Sequence, residues 1–379
     1  MKLRVALFYH SLVSDWNHGN AHFLRGVASE LLARGNEVRI FEPEESWSRE
    51  NLLRERGKEA VQAFEAAFPN LRSTCYRTQE FQVDESLQDV DLAIVHEWND
   101  PKIISALGRF RRQNPGLRVL FHDTHHRALT AEEELARFEL ADYDGILAYG
   151  ASLKHTYQLH GWGKQVHVWH EAADTRTFYP RERRGKMGDV VWIGNWGDEE
   201  RTEELREYFI HPVKRAGLKS QVYGVRYSET ALQQLMDAGI SYGGWLPNFQ
   251  VPEVFAHFRA TIHVPRRPYT RELSGIPTIR PFEALACGIP LVSAPWQDTE
   301  GLFRVGEDFL MAQNGEQMER HLRDVLHDPA LATSLRQSGL ETIRKRHTCI
   351  HRVDELLAIY GKLRPATAAW ETVSAGVEA

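Results

Sequence analysis

The sequence predicts an α/β protein made of two Rossmann-like halves, and three observations carry that reading. Short apolar runs alternate with amphipathic stretches from one end to the other, the pattern of strands crossed over by helices. Most first-half runs finish in polar residues, at the strand ends where open parallel sheets bind ligands. A length of 379 residues suffices for two domains of ordinary size, each with its own core.

The first strand is expected over residues 3–9, then a polar loop over 11–19 and a helix over about 20–34. In that helix Phe23, Leu24, Val27, Leu31 and Leu32 share one face, with Asn20 as N-cap and Gly35 just past the end. A second strand over 38–41 completes a βαβ opening, and a charged surface helix follows over 49–68. Further strands are expected over 92–95, 117–121, 146–148 and 166–169. The second series has strands over 190–193, 221–223, 261–264 and 291–293, with a charged helix over about 199–216. An amphipathic helix over 351–363 carries Val353, Leu356, Leu357 and Tyr360 on one face.

The domain reading is therefore a first Rossmann-like domain over 1–170, a polar hinge over 171–186 and a second Rossmann-like domain over 187–348. The helix ending at 363 is expected to pack back on the first domain, and the Ala/Thr-rich tail over 364–379 to be flexible.

Composition excludes several classes. The chain is 42% hydrophobic and 26% charged, as in globular proteins, and its net charge of −6 argues against a nucleic-acid partner. Three scattered cysteines without a C-x-x-C pair suit a reducing cytoplasm and give no zinc framework. The apolar run at the N-terminus breaks at His10, too short for a signal peptide or a membrane span, so no transmembrane segment is expected; peripheral membrane association stays open.

The segment from Pro281 to Ser293, PFEALACGIPLVS, is the most specific. Pro281 suits a first helical position, Gly288 a helix stop, and Pro290 prevents continuation, giving a two-turn helix that leads into a strand. Glu283 would then lie in the first turn, where the helix dipole favours a carboxylate. This segment resembles that of the retaining GT-B glycosyltransferases of the group 1 type, and within them the CgeB-like branch. Those proteins carry a Glu-Ala-(small)-Ala-Cys-Gly-(x)-Pro helix-to-strand element; Leu285 stands here at the small position.

The resemblance implies a GT-B fold, with two parallel sheets facing a central cleft. It also implies retaining, metal-independent transfer of a hexose from a nucleotide-diphosphate sugar to an acceptor hydroxyl. No cofactor is implied beyond the UDP-, GDP- or dTDP-sugar donor; the acceptor would be a glycan, a lipid-linked molecule or a small molecule. Glu283 inherits the glutamate that holds the donor ribose, a task suited to a charge-assisted bidentate acceptor. Many relatives carry a second glutamate eight residues earlier, where this chain has Gly275. Backbone amides around Ser274, Gly275 and Thr278 are the expected substitute, since Glu272 has the wrong spacing.

Other candidates lie at strand ends. Gly194-Asn195-Trp196-Gly197 follows a strand and opens a helix, a turn that offers N–H groups to a diphosphate, with Arg201 adding charge. Arg226, Arg266 and Arg280 are candidate cations for the leaving diphosphate. In the first half, Asp15 and His18 sit in the loop after the first strand, and His18 is a candidate general base. His125, then His122, are candidates to orient the donor sugar. The cluster His122-Asp123-Thr124-His125-His126 also invites a zinc reading, but alternating side-chain directions at a strand end work against it, so no metal site is assigned. His170 to Asp174 reads as the crossover segment, which it orders. The competing readings are a GT-B sugar-nucleotide epimerase and a binding or assembly protein that has lost catalysis.

Overall fold

The computed structural model describes residues 2–182, 188–197 and 199–363. The tail expected over 364–379 and hinge residues 183–186 lie outside the described residues. Two all-parallel sheets form the frame. The first contains β1 (Arg4–Phe8), β2 (Glu37–Pro43), β3 (Thr74–Tyr76), β4 (Leu92–His96), β5 (Arg118–Asp123), β6 (Gly145–Ala148) and β7 (Val166–Val168). Its order is β3-β2-β1-β4-β5-β6-β7. The second contains β8 (Gly188–Ile193), β9 (Ser220–Tyr223), β10 (Ser241–Tyr242), β11 (Phe258–His263), β12 (Leu291–Ser293) and β13 (Leu310–Met311), in the order β10-β9-β8-β11-β12-β13. Both sheets reverse direction of growth beside their first strand, which opens a crevice at the carboxyl ends.

The central strands form where β-branched and aliphatic residues run together and are buried on both faces. Leu92–His96 and Arg118–Asp123 are buried along their whole length. Three edge strands, β3, β10 and β13, were not expected; at two or three residues each they are too short to show any periodicity.

Several helix boundaries also differ from expectation. Asn20 does not cap the Ala21–Ala33 helix; its backbone is already helical and its side chain donates to Thr124 Oγ1 instead. The Trp47–Ala67 helix is broken at Gly57, whose φ is +68°. The charged helix begins only at Thr202 and contains a π-helical turn over Arg206–Ile210. The Ile279–Ala286 helix starts two residues before Pro281, so Glu283 is not in its first turn. The dipole argument for Glu283 therefore fails, and side-chain partners hold the carboxylate.

An apolar cluster is centred on each sheet, the first also taking in Tyr269, Leu273 and Ile276, and a third cluster joins the halves more broadly. It runs from Phe23 and Val27 through Trp169 and Phe178 to Phe282, Val353 and Leu356. Fully burying each such side chain stabilises by about 1.5–3 kcal/mol, so the halves share a substantial part of their core. The Cys349–Leu363 helix lies on the first half, where Trp169 Nε1 donates to Arg352 O (2.8 Å) and Arg118 Nε to Leu363 O (2.8 Å). No helix among the described residues is long and apolar enough to cross a membrane.

Candidate active site

The carboxyl ends of both sheets face one cleft of about 700 Å³. Its first-half wall comprises the loop Trp16–Asn20 after β1, Trp47 and Asn51 after β2, Trp98 after β4, Thr124–His126 after β5, and Tyr149 after β6. The opposite wall is Gly194 and Asn195 after β8, Arg226 after β9, His263 to Arg266 around the end of β11, and Thr278 to Arg280. Glu171, beyond β7, stands at the crossover between them.

The β1 loop is shaped by buried charge. Glu42 accepts from Ser11 Oγ (2.8 Å) and the Leu12 amide (2.6 Å). Arg25 donates to the carbonyls of Leu12 and Val13, both at 2.8 Å, and pairs with Asp15 at 2.9 Å. Asp15 then reaches the second half, accepting from Trp245 Nε1 (3.1 Å) and the Asn248 amide (3.0 Å). Asp15 is thus a clasp behind the cleft and not part of its lining.

Histidines dominate the first-half wall. His18 is buried, its Nε2 has no partner, and its ring meets His10 and His96 edge-on at 5.3 and 5.9 Å. Burial, then the neighbouring His10 and Arg25, hold His18 well below the usual imidazole range, so it is uncharged at neutral pH. His125 has an unpartnered Nδ1 and lies 4.0 Å from the His126 ring. Burial, then His126, Arg127 and Arg266, lower it likewise. Arg127 lies 3.8 Å over the Trp98 ring and pairs with Glu97 at 2.6 Å, fixing that indole at the cleft wall.

His122 is elsewhere. It belongs to β5 proper, opposite His96 in register, and packs against Trp169 (4.8 Å) and Phe23 (6.0 Å) in the core. Burial lowers its pKa to about 3. The structure therefore takes His122 out of the cleft, away from His125 and His126. Among the described residues no group of three His, Cys, Asp or Glu side chains could hold a metal ion.

The second-half wall is cationic and rigid. Arg201 donates to Asn195 O (2.7 Å) and Val264 O (3.0 Å), tying two strand-end loops together, while its Nε has no partner. Asn195 accepts from the Val225 amide (2.9 Å) and donates across the cleft to Asn17. Arg266 pairs with Glu200 at 3.2 Å, and Arg226 occupies the left-handed region with φ +62°. His263 bridges Ser293 Oγ (2.9 Å) and Thr278 Oγ1 (3.2 Å), and burial lowers its pKa to about 3. Because Ser293 Oγ donates to Ala294 O, His263 Nδ1 is the donor to it, and Nε2 accepts from Thr278.

Glu283 lies one layer behind this wall and is fully buried. It pairs with Arg280, which does line the cleft, and accepts from Asn248 Nδ2 at 2.7 Å. His22 Nε2 accepts from the Asp174 amide (2.7 Å), so the His22 proton is on Nδ1 and points at Glu283 Oε1, 3.0 Å away. Burial acts to raise the carboxyl's pKa, but Arg280 and these hydrogen bonds together outweigh it and keep the carboxyl below its usual range.

Gly275 also has a local cause. Its φ is +97°, and a Cβ there would stand 2.0 Å from Thr299 Oγ1, so a glutamate at this position would strain the backbone and displace Thr299. Gly275, Ser274 and Trp196 all lie outside the cleft lining: Ser274 donates to Gln297 (3.0 Å), and Trp196 packs on Tyr227. Of the predicted residues, His18, His125, Gly194, Asn195, Arg201, Arg226, Arg266, Thr278 and Arg280 meet at the cleft. Sequence reasoning missed Asn17, Thr124, His126, Tyr149 and His263 there; most stand at or just after a strand's end, the one signal that could have found them.

Residues 201–358 match the family model described as Glycosyl transferase-like. No curated protein sequence matches the chain. An alpha-glucosyltransferase in complex with UDP and a 13-mer DNA containing a HMU base is similar in structure, with TM-score 0.68 and 14% identity over 95% of this chain and 100% of that one. Sucrose-phosphate synthase from Thermosynechococcus elongatus matches with TM-score 0.63 and 15% identity over 96% and 99%. Anabaena Alr3699/HepE in complex with UDP and glucose gives TM-score 0.63 and 12% identity over 95% and 100%.

The fold is GT-B, and the family match over the second half supports a glycosyltransferase. One expectation is overturned. Net charge argued against nucleic acid, yet a protein of this fold is recorded with DNA bound, so the exclusion does not stand. Net charge averages a whole surface, whereas polyanions are gripped by local groups of cations.

Proposed function

We propose that this protein transfers a sugar from a uridine-diphosphate sugar to an acceptor hydroxyl. The observation that carries this reading is the division of the cleft. Arg201, Arg226, Arg266 and Arg280 line one wall, while on the other His18 and His125 present buried ring nitrogens without partners, beside His126 and Tyr149. Fixed cations suit a diphosphate leaving group, whose charge grows as the glycosidic bond to phosphate breaks. Unsatisfied buried donors and acceptors suit the hydroxyls of a sugar. The UDP held by structures of this fold supports uridine as the base. The segment from Pro281 to Ser293 supports placing the chain with the group 1 enzymes and their CgeB-like branch.

The reaction we assign is retaining and metal-independent. The departing phosphate oxygen takes the acceptor's proton as the new bond forms on the same face, with no protein nucleophile, and the arginines balance the diphosphate. Glu283 acts from behind, by aiming Arg280 and by reaching the ribose if its internal partners yield. Trp16, Trp47 and Trp98 surround the first-half entrance and supply apolar faces for an acceptor.

UDP-, GDP- and dTDP-sugars should be screened for thermal stabilisation, followed by nucleoside-diphosphate release against glycan, lipid-linked and duplex DNA acceptors. UDP-glucose at 100 times its Kd should stabilise by about 2.7 kcal/mol, with acceptor-dependent UDP release and an α-linked product. Binding without transfer or hydrolysis would instead favour an assembly protein, and acceptor-independent isomerisation of the sugar an epimerase.

A further inference from the structure

Three carboxylates at or just behind the cleft are matched by partners. Glu200 pairs with Arg266, Asp15 with Arg25, and Glu283 with Arg280 and His22. Glu171 differs from them. It lines the cleft at 2% exposure, no cation pairs with it among the described residues, and its Oε1 has no hydrogen-bond partner.

Its backbone is fixed from behind. The Glu171 carbonyl accepts from Arg352 Nε (3.4 Å), Ala172 and Ala173 are fully buried in the shared core, and the Ala173 amide donates to His347 O (2.9 Å). The side chain is therefore presented to the cleft by a rigid crossover. A buried polar atom left unpaired costs about 1–3 kcal/mol, a cost that a ligand or an ordered water must relieve.

We propose that Glu171 binds the transferred sugar, hydrogen-bonding its hydroxyls from the junction between the two halves. The inference rests on the nucleotide-sugar reading above and names a contact that reading left open. Burial, with Glu283 behind it, pushes the Glu171 carboxyl well above its usual range, which favours the neutral acid. A neutral carboxyl has one O–H donor and a carbonyl acceptor, the same pair that a sugar hydroxyl offers in return. Tyr149 shares the lining, with its hydroxyl buried beside that of Tyr269.

The test compares UDP with UDP-glucose on the full chain and on Glu171→Ala and Glu171→Gln. Glu171→Ala should leave UDP affinity within about twofold and lower UDP-glucose affinity and kcat/KM about 10-fold. Glu171→Gln, which keeps a neutral donor and acceptor, should restore most of that loss, and it stands in if the alanine variant does not fold. Equal loss for UDP and UDP-glucose, or no loss for either, overturns the assignment and leaves the donor reading intact. A folded Gln variant as impaired as Ala also overturns it, since that outcome requires an ionised carboxylate. If the wild-type chain binds neither UDP nor UDP-glucose, the donor reading itself fails, and this inference with it.

Discussion

The two walls of the cleft rise from sheets with the same strand order, yet they are built from opposite materials. The second-half wall carries arginines whose hydrogen-bonding groups are largely engaged, by Glu200, by Glu283, and by the carbonyls of Asn195 and Val264. The first-half wall carries uncharged histidines, of which His18 and His125 each keep a buried ring nitrogen without a partner. One topology thus yields a rigid cationic cradle and a neutral, unsatisfied face. What differs is only which residues follow the strands. A ligand with one anionic and one polyhydroxylated end fits the pair, and neither wall alone would specify it.

Acid should break this symmetry most strongly. His10, His18, His96, His122, His125, His126 and His167 all have lowered pKa values through burial, whereas only His263 and His347 do so in the second half. A histidine whose folded pKa lies below its unfolded value near 6.5 contributes stability that is complete above that pH. The contribution is lost as pH falls towards the folded values, about 4 for His10 and His126. The slope is about 1.4 kcal/mol per pH unit for each such group. Asp123 and Glu171, with raised pKa values, act in the opposite sense, but they are two against seven. Hydrogen exchange between pH 7 and pH 5 should therefore show the first sheet losing protection before the second. Simultaneous loss in both sheets would mean that the shared core couples them completely.

The clasp between the walls is the next point of attack. Glu283→Ala removes the partner of Arg280 and the contacts to His22 and Asn248, and should cost about 3 kcal/mol, read as a lowered denaturation midpoint. The same variant separates two roles. If Glu283 holds the ribose, the preference for UDP over 2′,3′-dideoxy-UDP disappears with it. If it acts only by aiming Arg280 and joining the halves, both nucleotides weaken together and the preference persists.

Much of this frame was legible in the sequence, and the failures have physical reasons. The central strands announce themselves because burial on both faces demands unbroken apolar runs, as in Leu92–His96; the two-residue strands β10 and β13 are edge pairings with nothing to repeat. At the site, residue type was a poorer guide than position. His122 and His125 read alike in the sequence, but β5 ends at Asp123, so His122 is locked in the sheet while His125 lies beyond its end. Glu283 was found through its segment, and its burial behind Arg280 depends on His22, 261 positions away, which no local pattern encodes. Gly275 looked like a lost residue; its positive φ and the approach of Thr299 show a backbone requirement instead.

The mildest test concerns His125, on the neutral wall. Its amide donates to Asp123 Oδ1 (2.9 Å), and Asp123 is held in turn by Tyr157 Oη (2.7 Å), so the imidazole is set by a buried chain of hydrogen bonds. With its pKa well below the usual range, this ring works as an uncharged hydrogen-bonding group at neutral pH. His125→Ala should then lower kcat/KM for the nucleotide sugar by about 0.5–1.5 kcal/mol, or roughly 2- to 13-fold, and leave UDP affinity unchanged. His125→Asn, which retains a donor and an acceptor, should recover part of the loss. A deficit of about 100-fold or more, with a pH profile that loses an inflection near 6.5, would instead make His125 a proton carrier. The neutral wall would then take part in the chemistry as well as in holding the sugar.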